Sequence, residues 1–269
     1  MIQIEHFTFN CFQTRCSVVW DESGSCAFVD PGCSDADELS RLTSFVASRG
    51  LKPVAIMLTH AHFDHIYGMS ALAREYGVPV YAHEREMFTL ENTNPYVCEA
   101  YGLPLPETYP MVRTADEESL PSKFEAVAEG DVIRVGALRF EVIETPGHTV
   151  GGLCFYERAC GVLFAGDTLF AGAIGRTDHP GGDYDLLMNS ILKKLLPLDS
   201  AAAAASASAA PSASAVPSAS GHEASASSQP SAPAPLAISV VPGHGPCTDL
   251  ATEGMTNPFL LPFNEPFEG

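Results

Sequence analysis

Hydrophobic residues recur along this chain in two spacings, and the alternation between them predicts its elements. Cys16 to Asp30 reads as a hairpin, with Asp21–Gly24 as the turn and Ala27–Val29 leading into Asp30-Pro31-Gly32. Leu39, Leu42 and Val46 then fall on one helical face. Ser34 is the predicted cap of that helix, Asp37 stands at the capping-box position and Gly50 ends it. Val54–Leu58 is a continuous apolar run of strand length that stops at Thr59-His60. Ile66–Tyr76 has a helical pattern and Val78–Ala82 an extended one. Val132–Val135 and Leu138–Ile143 alternate around Gly136-Ala137 as a hairpin does, and Leu153–Tyr156 with Val162–Ala165 makes a second pair. A helix over Asp185–Leu196 and a last strand over Ile238–Val241 complete two groups of strands with helices between and after them, a layered α/β arrangement.

The pattern fails in one place. From Ala201 to Pro235 the chain is nearly all Ala, Ser and Pro, with nothing periodic to bury, and this stretch reads as a disordered low-complexity insert (201–235) whose first alanines extend the preceding helix. Lengthening a loop from about 5 to about 37 residues adds only about 1.8 kcal/mol of closure entropy. The flanking segments are therefore expected to form a single domain over residues 1–269. Since His244 follows the last strand, the insert is expected to join that strand at the end remote from any site at His244.

Composition narrows the function classes. Acidic residues outnumber basic ones 33 to 14, for a net charge of −19, which disfavours nucleic-acid phosphates and anionic membranes as partners. No apolar run has the length of a membrane span, and MIQIEHFTFN lacks the basic and apolar regions of a signal peptide. The eight cysteines include no CxxC pair, so reduced, mostly buried thiols in a cytoplasmic protein are expected rather than a disulfide framework or a cysteine zinc site.

The chemistry concentrates in Thr59-His60-Ala61-His62-Phe63-Asp64-His65. Alternate residues of an extended segment point the same way, so His60 and His62 can converge on one ion, while a turn into a helix redirects Asp64 and His65 towards a second. Three more segments place a ligand-type residue directly after a strand and beside glycine: Pro146-Gly147-His148, Gly166-Asp167 and Pro242-Gly243-His244. The resulting inventory is His60, His62 and His148 for one divalent metal and Asp64, His65 and His244 for the other, with Asp167 available to bridge. Two divalent ions against two carboxylates and a bridging hydroxide leave a charge of about +1, which favours a water of near-neutral pKa as nucleophile. Asp64 and Asp167 are then the catalytic carboxylates. Zinc, iron and manganese all suit such a mixed set, zinc foremost.

These residues, in this order and spacing, resemble the metallo-β-lactamase fold superfamily over essentially the whole chain outside the insert. The resemblance implies a four-layered αβ/βα sandwich with the metals at one edge, and it gives Asp30 of Asp30-Pro31-Gly32 a supporting role behind the ligands. Gly166-Asp167-Thr168-Leu169-Phe170, Gly175-Arg176-Thr177-Asp178, Pro180-Gly181-Gly182-Asp183 and Asn257-Pro258-Phe259 look like the short glyoxalase II-like hydrolases of bacteria. That narrower likeness implies hydrolysis of a thioester such as S-lactoylglutathione by a metal-bridging hydroxide. β-Lactamases of the superfamily usually carry Cys where this chain has Asp167, and RNA-processing relatives carry extra basic domains, so neither antibiotic nor RNA cleavage is implied. Only 25 residues follow His244, where full-length glyoxalase II adds a helical region that holds glutathione, so glutathione as the carrier is not implied. The alternative is a persulfide dioxygenase with a single iron on two histidines and one aspartate, since those relatives keep the same histidine run.

Around this core, Arg176 is either a contact for an anionic substrate or a brace on a carboxylate. His179 is expected to be an exposed loop histidine and His83 a satisfied histidine at a strand end; His6 and His222 carry no signal. The stretch from Glu84 to Glu129 exceeds a simple crossover and either covers the site or decorates the surface.

Overall fold

A computed structural model of the chain describes residues 1–117, 123–199 and 237–261. The 201–235 insert and the expected helical extension into its alanines lie outside the described residues.

Two six-stranded sheets carry the fold. The first runs in chain order: β1 (Gln3–Phe9), β2 (Thr14–Trp20), β3 (Ser25–Val29), β4 (Lys52–Met57), β5 (Val80–Ala82) and β6 (Phe124–Ala126). The second contains β7 (Val132–Val135), β8 (Leu138–Glu144), β9 (Leu153–Glu157) and β10 (Val162–Gly166). Beyond β10 lie β13 (Ser239–Pro242) and β14 (Thr248–Asp249), in the spatial order β14-β13-β10-β9-β8-β7. Between β10 and β13 in sequence, β11 (Leu169–Phe170) and β12 (Ala173–Ile174) pair with each other. The strand after the insert thus pairs in parallel with β10, Val162 opposite Ser239.

The period of two in each strand sorts side chains into layers. In β3, Cys26 and Phe28 pack under α1 (Ala36–Ser48), while Ala27 and Val29 face the other sheet. In β10, Val162 and Phe164 meet Ala27 and Val29, whereas Leu163 and Ala165 turn outward. The first helical layer is α1 with α2 (Phe63–Ile66) and α3 (Met69–Tyr76); α4 (Asn94–Tyr101) follows β5. The second layer is α5 (Tyr184–Ser190), continued by a π-helical turn over Ile191–Leu195, with α6 (Leu250–Thr256). Leu187, Ile191 and Leu195, spaced four apart, pack on Leu163 and Val240. The order helix, sheet, sheet, helix is the four-layered sandwich anticipated from the resemblance.

Local chemistry departs from the sequence reading in a few places. Asp35, not Ser34, caps α1 by accepting from the Glu38 amide at 2.8 Å, and Glu38 rather than Asp37 reaches back to the Ser34 amide at 2.7 Å. The cap sits one residue later because Asp35 takes the extended backbone that a capping side chain needs. The predicted Ile66–Tyr76 helix is two pieces, parted at Tyr67-Gly68. β1 and α6, not predicted, have too few buried positions to stand out: Leu250 and Glu253 are the buried residues of α6. Among the described residues no helix is long and apolar enough to cross a membrane. All eight cysteines are free thiols, five of them buried.

Candidate metal centre

Strand direction builds the site. β8, β10 and β13 run the same way in the second sheet, because β9 is antiparallel to both its neighbours and β13 is parallel to β10. Their C-terminal ends therefore deliver His148, Asp167 and His244 to one edge, where the C-terminal end of β4 delivers the His60–His65 run from the first sheet. Arg15 on β2 fastens the two sheets there, its guanidinium donating to the Pro242 carbonyl at 2.7 Å and its amide to that of Gly243 at 2.7 Å. Gly243 has no substitute at this junction, since a Cβ would overlap Asp167 Oδ1 and the His65 ring.

All seven residues of the sequence inventory come together. Donor atoms of His60, His62 and His148 lie within 4.8 Å of one another, as do those of Asp64, His65 and His244. Asp167 spans the two groups: Oδ2 is 3.6 Å from His148 Nε2 and 3.4 Å from His244 Nε2, and Oδ1 is 3.4 Å from His65 Nε2. Each ring is turned by a partner behind it. His60 Nδ1 meets Thr59 Oγ1 at 3.0 Å, and that hydroxyl donates to Asp30 Oδ2 at 2.6 Å. Nδ1 of His65 donates to Asp30 Oδ2 at 3.2 Å, that of His148 to the Arg176 carbonyl at 2.8 Å and that of His244 to the Phe12 carbonyl at 3.0 Å. Asp30 thus stands behind both groups.

The donor set fits divalent cations. With Nδ1–H committed outward, the Nε2 lone pairs of His65 and His244 face each other at 3.2 Å, which is repulsive unless a proton or cation lies between. His60 Nε2 and Asp167 Oδ1 are buried without a hydrogen-bond partner. Buried polar atoms are rarely left so, and ligands fixed by outward hydrogen bonds are what metal sites require.

The electrostatics differ within the site. Burial, reinforced by neighbouring imidazoles, pushes His60 and His62 well below the usual histidine range. Burial likewise brings His148 down to about 4, against the pull of Asp167. At His65 burial is outweighed by Asp64, Asp167 and Asp30, and its pKa is pushed up to about 10. For Asp167, burial is overcome by His65, His244 and His148, which hold its carboxyl below the ordinary range.

A cleft of about 800 Å³ opens onto the site, walled by Phe12, Phe63, Tyr96, Tyr101, Arg176 and His179. Its size is that of a small-molecule site. The Glu84–Glu129 stretch is more than decoration, since α4 forms one wall and Asn94 clamps the ligand run: its Nδ2 donates to the Ala61 carbonyl at 2.8 Å and its Oδ1 accepts from the Phe63 amide at 3.0 Å. Arg176 is exposed and pairs with Asp178 through Nε at 2.8 Å and Nη2 at 3.1 Å, a brace at the cleft's rim.

His179 is not the exposed loop histidine expected. It is half-buried, with its ring edge-on to His62 at 4.8 Å and to His148 at 5.0 Å, because Gly182 and Asp183 fold the loop back over the ligands. His83 is the satisfied strand-end histidine anticipated, bonded to Glu144 at 3.2 Å and to the Arg85 amide at 3.0 Å. Thr14, Glu86 and Asn94 were invisible in the sequence, since the bonds that tie them to the His60–His65 run span at least 25 residues and no local motif marks them.

Residues 9–206 match the family model described as the metallo-beta-lactamase superfamily. Hydroxyacylglutathione hydrolase GloC of Haemophilus influenzae is 30% identical over 260 residues, covering 96% of this chain and 98% of that protein. Among solved structures, the BLEG-1 B3 metallo-beta-lactamase is similar with a TM-score of 0.71 at 29% identity, over 96% of this chain and 100% of that one. TTHA1623 in a di-iron-bound form is similar with a TM-score of 0.67 at 30% identity, over 95% and 100%.

Proposed function

The chain belongs to the metallo-β-lactamase superfamily, and on that premise we propose that it is a two-metal hydrolase of thioesters, of the hydroxyacyl-thiol type. The observation that supports this reading most is the shared carboxylate: Asp167 Oδ2 lies 3.6 Å from His148 Nε2 and 3.4 Å from His244 Nε2, so one side chain serves both donor groups. His60, His62 and His148 would hold one ion and Asp64, His65 and His244 the other. Two such ions supply Lewis-acid polarisation of a carbonyl and a water acidified towards neutrality.

The protein's own residues do the rest. The outward Nδ1–H bonds of His60, His65, His148 and His244 keep their Nε2 lone pairs aimed inward, so the donor set needs no rearrangement to bind. Asp30 accepts from the Thr59 amide at 2.8 Å and keeps the ligand run seated on β4. Phe12, Phe63 and Tyr96 offer an apolar wall for an acyl or thiol group, and Arg176 at the rim is the candidate contact for a substrate anion. A thiolate departs with a conjugate-acid pKa near 8.5, so no strong general acid is required of the site. The likeness to a hydroxyacylglutathione hydrolase favours S-lactoylglutathione as the first substrate to try.

The test pairs metal analysis of protein purified without added metal or chelator with a substrate panel. The panel contains S-lactoylglutathione, an S-acyl-N-acetylcysteamine, a cephalosporin and glutathione persulfide under oxygen. The expected outcome is about two ions per chain and turnover confined to thioesters. One iron per chain with oxygen uptake on the persulfide would replace the hydrolase with a dioxygenase. A cephalosporin cleaved faster than either thioester would move the reading to a lactamase.

A further inference from the structure

Glu86 is a completely buried carboxylate outside the ligand inventory, and it lies where two ligand-bearing loops meet. It follows β5 in a short helical turn over Glu84–Glu86, so its backbone is anchored to the first sheet. Its Oε2 accepts from the Ala61 amide, between His60 and His62, at 2.7 Å. Its Oε1 accepts from the Gly151 amide, just beyond His148, at 2.9 Å. One carboxylate therefore ties together both segments that carry the three-histidine group. Gly151 makes the approach possible: a Cβ there would stand 2.9 Å from Glu86 Oε1 and 3.0 Å from its amide nitrogen.

The other donor group is fastened without Glu86. Asp64 receives the Thr14 hydroxyl at 2.6 Å, His65 leans on Asp30 and His244 on the Phe12 carbonyl. Those supports come from β2, the residue just after β3 and the turn before β2.

We propose that Glu86 is a positioning residue for one metal position alone: it sets the spacing between the His60–His62 run and His148 and thereby the affinity of the three-histidine position. The inference rests on the two-metal reading above. In Glu86→Gln, one oxygen remains for one amide while an NH₂ is set against the other N–H, so the two loops part without a large loss of volume. Supporting groups of this kind are worth roughly 10–100-fold in metal affinity.

The experiment is a cobalt(II) titration read by visible absorption, in two backgrounds that each leave one donor group intact. In His244→Ala, which keeps the three-histidine group, adding Glu86→Gln is expected to weaken cobalt binding roughly 10–100-fold and to alter the visible bands. In His148→Ala, which keeps the other group, the same change is expected to leave binding unaltered. Equal weakening in both backgrounds, or none in either, overturns the assignment. Gly151→Ala, which displaces Glu86 but preserves its carboxylate, is the second variant and is expected to show the same one-sided loss. It decides the matter where Glu86→Gln does not fold. Wild-type protein that takes up no cobalt at all would sink the two-metal reading itself, a result distinct from failure of the Glu86 assignment.

Discussion

The two donor groups of the site share Asp167 and a common edge, yet they are built from different materials. The His60–His62–His148 group is all imidazole, and burial holds those rings well below the usual histidine range, with His148 at about 4. Neutral rings tolerate a dry setting, and their lone pairs are available without losing a proton. The Asp64–His65–His244 group is built around charge. Burial opposes a protonated His65, but Asp64, Asp167 and Asp30 overcome it and push the ring up to about 10. The supports differ in origin as well. The first group is spaced by Glu86 and Asn94, which arrive from the segment beyond β5, whereas the second leans on Thr14, Asp30 and Phe12 from the first thirty residues. Asp30 also backs His60 through Thr59, but Glu86 and Thr14 each touch one group, so substitutions there should separate the two positions.

The largest effect is expected where the groups are joined. Asp167→Ala removes the one carboxylate common to both, and metal content and thioester hydrolysis should fall together, by more than the roughly 10–100-fold that loss of a supporting group costs. Elemental analysis showing undiminished two-metal occupancy would remove Asp167 from the bridge. A smaller, one-sided effect is expected from Thr14→Val, which takes the hydroxyl away from Asp64 while nearly conserving volume. Cobalt binding at the Asp64–His65–His244 position should weaken roughly tenfold, with the three-histidine position unmoved, the converse of Glu86→Gln. Matching losses at both positions in a titration would erase the distinction.

The smallest effect belongs to the insert. Ser239 pairs with Val162 at the ends of β13 and β10 remote from His244 and Asp167, so the described chain enters β13 far from either donor group. Deleting Ala203–Ser231 should change kcat/KM by less than about twofold, under about 0.4 kcal/mol in the barrier. A tenfold loss with folding intact would tie the insert to the site.

The candidate ligand residues were legible because strand-end geometry leaves a local signature. A buried apolar run such as Val54–Leu58 announces a strand, and a histidine or aspartate directly after it, beside glycine, must emerge at that strand's end. Four such ends were readable one at a time. His179 was misjudged for the same reason: its neighbours Arg176, Asp178 and Pro180 describe an exposed loop, and only the fold-back of Gly182 and Asp183 sets its ring against His62 and His148.

The amino-acid sequence by itself thus determined most of the elements, the layered α/β class and the seven-residue donor inventory, because period-two and helical spacing, strand-end glycines and imidazole clustering are all local properties. The tertiary structure alone decided how those donors divide and what holds them. Glu86 to Gly151, Thr14 to Asp64 and Asp30 to His65 are contacts across 65, 50 and 35 residues. Such pairs carry no periodicity that a linear reading could detect; they exist because two sheets pack face to face and bring distant strand ends to one edge.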